Sequence, residues 1–205
     1  MAVLREVTVG GTVAGWERAG FDVRDGRIRL RGLALVVDPS SERPLSGWGV
    51  TAPGERDDID GIPTRAVPDA PAPAVDHPNG LTALDHVVVL TRDLGATTAA
   101  FAGLGVEPRR SRDVPGSDPA QRQVFFVLGT AVAEVVGPVD GDAGPGTARL
   151  WGLAFVAPDL DDTVAALGRL AGPVRDAVQP GRRIATLHHR SARIPVPTVL
   201  LSPRP

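Results

Sequence analysis

His86 lies inside an apolar run, "LDHVVVLTRDL" at residues 84–94, and the phrase returns as "LWGLAFVAPDL" at 150–160 with Gly152 in the histidine's place. An imidazole held by a strand can ligate a divalent metal or pass a proton near neutral pH. Arg182 and Arg183 in "QPGRRIATL" sit where a turn enters a strand, so alternation sends one side chain to each face. One of them can clamp a substrate carboxylate or phosphate bidentately; two solvated strand-edge arginines are the plainer alternative. Arg122 and Gln123 hold the corresponding strand of the first copy and carry the same two readings. Trp151 and Phe155 border Gly152, where a missing side chain leaves room for an apolar pocket wall; ordinary core is the alternative. His188 and His189 face opposite ways along a strand and cannot share a metal without a bulge, which points to the surface. The acidic run "ERDDID" (55–60) lacks calcium-loop spacing and reads as solvated.

Composition narrows the function classes. A chain of 205 residues suits one large domain or a domain with an appendage, and buries roughly 70% of its unfolded surface. A net charge of −2 with no basic block argues against nucleic acid as a partner. No apolar run approaches the ~18 residues of a membrane span, and "MAVLREVTVGG" lacks the apolar core of a signal peptide, so a soluble cytoplasmic protein is expected. All 22 positive side chains are arginine, a bias that weakens each arginine as a functional marker. The absence of cysteine excludes disulfides, thiolate metal sites and a cysteine nucleophile. "VGGTVAG" (9–15) misses the dinucleotide-binding spacing, and there is no lysine for a P-loop.

The elements that must position these residues also repeat. After the first phrase come helix-like "GATTAAFAGLG" (95–105), strands "VEPRRSRDV" and "QRQVFFVLG", and "TAVAEVVGP" (130–138). After the second come "DDTVAALGRLAG" (161–172), "PVRDAVQP", "RRIATLHH" and "VPTVLLSP" (196–203). Asp93 and Asp159 are 66 residues apart and Pro138 and Pro203 are 65 apart, with "DAGPG" (142–146) as the joint. Each copy is strand, helix, three strands. Val124, Phe126 and Leu128 point one way; Gln123, Phe125 and Val127 point the other.

A fainter copy opens the chain: strand "LREVTVGG" (4–11), short helix "TVAGWERAG" (12–20), a hairpin "FDVRDGRIRL" (21–30) turning at Asp25-Gly26, and the closing strand "RGLALVVDP" (31–39). This aligns Glu6 with His86 and Leu35 with Glu134. "LSGWGVTA" (45–52) supplies one further strand, and residues 53–80, acidic and then proline-rich, read as a surface linker. The expected organisation is a partial unit at 1–52, a linker at 53–80, and a domain at 81–205 made of units 81–141 and 147–205.

Tandem βαβββ units, "LDHVVV…DL" and the glutamate of "AEVVGP" resemble the vicinal oxygen chelate superfamily, which includes glyoxalase I, extradiol dioxygenases and bleomycin-resistance proteins. "HPNGLTALDHVVV" (77–89) is similar to its glyoxalase-like members. The resemblance implies an α+β fold with a curled mixed sheet, whose first and fourth strands line a concave face and ligate one divalent cation such as Ni, Zn, Mn or Fe. On this pattern the first unit offers His86 and Glu134, and the second offers Gly152 and Val199, which bind no metal. Half the ligand set is missing. Glu6 as a third ligand, a second chain across a homodimer, or His188/His189 would each complete it. Replacing Gly152 by His and Val199 by Glu is expected to restore four ligands.

Two function classes follow from the resemblance. One is a protein that binds a small oxygen-rich molecule in a concave pocket with a degenerate metal site and no tightly held cofactor. The other is a lyase, isomerase or epimerase using His86 and Glu134 as metal ligands or as a metal-free acid/base pair.

Overall fold

The computed structural model describes residues 2–54, 56–71 and 73–204; Glu55 of the acidic run and Ala72 of the proline-rich stretch lie outside them. The chain opens with β1 (Leu4–Gly10), α1 (Val13–Arg18), β2 (Arg27–Leu30), β3 (Leu33–Asp38), β4 (Leu45–Val50), β5 (Asp58–Ile59) and β6 (Ile62–Ala66). These strands form one sheet in the order β2-β3-β1-β4-β6-β5. Thr12 caps α1 by accepting from the Gly15 N–H, and the buried Trp16 donates Nε1–H to the Gly10 carbonyl at 3.0 Å. Asp25 and Gly26 both take positive φ, as the expected turn requires. The hairpin itself differs from expectation: only Arg24 and Arg27 bridge across the turn, and β2 pairs with β3 instead.

The expected linker is corrected in part, because β5 and β6 fall inside residues 53–80 and bury Ile59 and Ile62. Asp60 at their turn is also buried, accepting from Thr97 and from the Gly146 N–H at 2.5 Å each. His77 and Asn79 are buried further along. Asp and Pro around such short strands mask the alternation that marks longer ones.

The second sheet takes β7 (Ala83–Leu90), α2 (Leu94–Ala102), β8 (Pro108–Asp113), β9 (Gln121–Leu128), β10 (Ala131–Pro138), β11 (Arg149–Val156), α3 (Leu160–Leu167), β12 (Arg175–Asp176), β13 (Arg183–Leu187) and β14 (Thr198–Leu201). Its order is β12-β13-β14-β11-β7-β10-β9-β8. Two βαβββ units thus meet along the antiparallel pair β7 and β11, with β10 and β14 parallel to them on the outer sides. Asp93 and Asp159 are the equivalent N-caps of α2 and α3. Between the two sheets, Phe21 packs on Phe155 with ring centroids 5.2 Å apart and Trp48 on Phe101 at 6.0 Å. Burying one phenylalanine contributes about 1.5–3 kcal/mol, so the sheets share a core. Among the described residues no helix is long and apolar enough to cross a membrane.

The register between β7 and β11 slips twice. His86 faces Ala154 while Leu84 faces Phe155, leaving Asp85 unmatched; Val88 faces Gly152 while Val89 faces Leu150, leaving Trp151 unmatched. Asp85 and Trp151 are repeat-equivalent, 66 residues apart. The pairing of β1 with β4 slips in the same way at Arg5 and Ser46. A bulge adds one residue and turns successive side chains to the same face. Leu84 and Val87 therefore both enter the core, while Asp85 and His86 both face the concave side.

Candidate functional site

The concave face of the second sheet encloses a cleft of about 400 Å³. The first unit lines it with Asp85, His86, Phe125, Val127, Val132 and Glu134, and the second with Ile184, Val199 and Leu201 from β13 and β14. Phe125 and Val127 on β9 face the cleft while Phe126 and Leu128 enter the core, as alternation dictates. A second bulge acts on β8. Pro108 faces Phe126 and Arg110 faces Phe125, so Arg109 is unmatched, and Arg109, Arg110 and Arg112 all line the cleft.

His86 stands between two carboxylates. Its Nδ1 lies 2.8 Å from Asp85 Oδ2 and its Nε2 lies 3.3 Å from Glu134 Oε2. A neutral imidazole donates to one of these and turns a lone pair toward the other; only the imidazolium donates to both. Glu134 is steadied on its other side, where Gln123 Nε2 donates to Oε1 at 2.6 Å and Arg112 Nε donates to the Gln123 side-chain oxygen. Burial pushes Asp85 toward its neutral form. Hydrogen bonds from His86 and Arg182, with the charges of Arg182 and Arg204, outweigh that and hold its carboxyl well below the usual carboxylate range.

Arg182 is brought to the cleft, but its donors are engaged. It reaches Asp85 at 3.0 Å, the Ser202 carbonyl at 2.9 and 2.7 Å, and Gln179 at 3.3 Å. It therefore braces Asp85 instead of standing free to clamp a substrate. The other expected ligand-binding residues lie elsewhere. Arg122 pairs with Asp113 at 2.6 Å and Arg183 with Asp161 at 2.8 Å, both on exposed surface. Trp151 is exposed but does not line the cleft, and Phe155 is fully buried against Phe21. His188 and His189 bond to the Arg169 and Ile194 carbonyls, away from the cleft.

Glu6 does not complete a metal set. It belongs to the first sheet, where Arg27 holds it at 2.5 Å and Arg65 holds its other oxygen. The parallel register also shifts the expected alignment by one: Glu6 faces Ala34 as His86 faces Val132, which puts Val36, not Leu35, at the Glu134 position. Leu35 is buried in the core.

The residues present do not fit a resident divalent cation. Val199 lines the cleft with an aliphatic side chain, and a Cβ at Gly152 would meet the Pro197 carbonyl oxygen at 2.9 Å. The missing side chain of Gly152 accommodates that close approach, so a histidine at 152 requires the chain at Pro197, just before β14, to shift before it can reach the cleft. Both Glu134 oxygens already face partners, Asp85 is held by two arginines, and five arginines border the cleft. Catalytic cations are usually held by three or more protein ligands in less cationic surroundings. Among the described residues no group of three or more acidic or histidine side chains is arranged to hold a metal.

Asp85, Arg109, Arg110 and Arg112 are the residues that strand alternation alone does not bring to this site, because two bulges decide where they point. The adjacent Asp-His pair was the available signal for Asp85.

No protein-family model matches the sequence, and no curated protein matches it. Among solved structures, a xylose isomerase-like TIM barrel/4-hydroxyphenylpyruvate dioxygenase fusion protein matches 98% of this chain and 49% of its own, with a TM-score of 0.60 and 12% identity. A mutant 4-hydroxymandelate synthase from Streptomyces coelicolor matches 86% of this chain and 79% of its own, with a TM-score of 0.55 and 16% identity. Methylmalonyl-CoA epimerase from Mycobacterium tuberculosis matches 62% of this chain and 91% of its own at 22% identity, with a TM-score of 0.46. At these identities the likeness concerns the fold. The first two matches span too much of the chain to leave out either sheet. With paired βαβββ units around the concave cleft, the chain has an α+β glyoxalase-like fold.

Proposed function

We propose that the cleft of the second sheet binds a small, oxygen-rich, negatively charged molecule without a resident metal, and that the first sheet serves as its scaffold. The observation that carries this is the charge of the wall: five arginines against Asp85 and Glu134. Asp85 is consumed by Arg182 and Arg204, whereas Arg109 and Arg110 have no hydrogen-bonded carboxylate partner among the described residues. Arg110 lies over Phe125, its guanidinium carbon 4.5 Å from the ring centroid, and its N–H donors have no partner among the described residues, so they are available to a carboxylate or phosphate.

A second reading rests on a different observation, the 3.3 Å approach of His86 Nε2 to Glu134 Oε2 inside the same cleft. With Asp85 fixing Nδ1, the pair can take a proton from a carbon acid at one face and return it, as an isomerase or epimerase does.

Thermal denaturation tests the binding reading. Acetate, lactate or phosphate raises Tm, the rise growing with the logarithm of concentration above Kd, and Arg110→Gln abolishes the rise. A panel of such anions without effect on Tm overturns it. A chelator leaves Tm unchanged. For the second reading, proton NMR in deuterated water follows exchange at the carbon beside a bound carboxyl group; exchange that survives both His86→Asn and Glu134→Gln removes it.

A further inference from the structure

The two halves of the cleft differ in kind. The first unit supplies Asp85, His86, Glu134 and the three arginines of β8, beside Phe125, Val127 and Val132. The second supplies Ala177, Val178, Ile184, Val199 and Leu201, and its polar members are engaged: Arg182 donates to Gln179 and to Asp85, and Arg204 reaches Asp85 at 3.4 Å. Of the four large hydrophobic side chains exposed among the described residues, Val178 at 79% is the one on the second unit's side of this cleft. An aliphatic wall left open to water opposite a row of arginines is complementary to a ligand with one charged end and one apolar body.

We infer that the ligand of this cleft is amphipathic: a carboxylate head held at Arg109, Arg110 and Arg112, and an unbranched aliphatic body lying along Val178, Val199 and Leu201. This rests on the anion-binding reading above and adds the ligand class. The bulge at Arg109 matters here, because without it Arg109 and Arg110 would face opposite sides of β8. The head then sits over the Phe125 and Arg110 stack, beside Gln123 and Glu134. The body extends over β14, where the repeat-equivalent of Glu134 is Val199 and so offers no charge.

Isothermal titration of the full chain with octanoate, acetate, succinate and octanamide tests this. The expected result is one octanoate per chain, bound at least tenfold more tightly than acetate, succinate or octanamide. Arg110→Gln should weaken octanoate at least fivefold, and Val178→Ser should weaken octanoate while leaving acetate unchanged. Acetate or succinate binding as tightly as octanoate overturns the amphipathic class and leaves the anion reading standing. Octanamide equal to octanoate, with Arg110→Gln without effect, overturns the charged head. No binding of any carboxylate overturns both readings together.

Discussion

On β1 the unmatched residue is Arg5 and Glu6 follows it; on β7 the unmatched residue is Asp85 and His86 follows it. The backbone device is shared, yet the two concave faces differ. In the first sheet Arg5 donates to the Gly32 carbonyl and to Asp69, Glu6 is closed by Arg27 and Arg65, and Val67 sits over Gly49. Residues 65–69 thus fill the position that is an open cleft in the second sheet. There the acidic bulge residue, itself paired with Arg182 and Arg204, also holds a histidine that faces the cleft. A repeated bulge therefore sets where side chains point, and the covering segment sets whether that face can meet a ligand.

The largest effect that separates the two faces is expected at Asp85. Asp85→Ala leaves the buried Arg182 guanidinium without its carboxylate and should cost about 3–5 kcal/mol in chemical denaturation. The pH dependence has a definite sign. Because the folded carboxyl titrates below its unfolded value, the unfolded chain binds more protons in that range, and stability falls as pH drops below about 4. Asp85→Asn should flatten that part of the stability profile; an unchanged slope would show that other carboxylates set it.

Glycines at equivalent positions come next. A Cβ at Gly47 would lie 2.7 Å from the Pro63 carbonyl oxygen, and one at Gly152 would lie 2.9 Å from that of Pro197. Gly47→Ala and Gly152→Ala should each cost about 1–3 kcal/mol, because both halves use the same close approach. If only one is destabilised, the four-fold equivalence of the bulges fails. The smallest effect is expected at Glu6, whose partners Arg27 and Arg65 are themselves 39% and 49% exposed. Glu6→Gln should cost about 1 kcal/mol and leave carboxylate binding in the second sheet unchanged.

Much of this was legible before the fold was known. The strand-helix-strand repeats, the equivalence of Asp93 and Asp159, and the placement of Phe125 and Val127 opposite Phe126 follow from periodicity and the 66-residue offset. What alternation misplaced has one physical cause. Bulges at Asp85 and Arg109 reverse the facing of their neighbours, so alternation alone does not bring the Asp85 brace and the arginine row to the cleft; of the two readings of Phe155, ordinary core is the one the structure has. The buried Asp60 and the strands beside it were hidden for a different reason. Their order comes from partners far along the chain, Thr97 and Gly146, which no local pattern records.

The central claim is that a ligand enters the second concave face and not the first. It is tested most directly by following the side-chain NMR signals of the four histidines while octanoate or acetate is added. His86, inside the cleft, should shift saturably, and His77, which is buried between the Asp22 N–H and the Arg29 carbonyl of the first module, should stay in place. Saturating carboxylate that leaves His86 unmoved, or that moves His77 in its stead, would contradict the account.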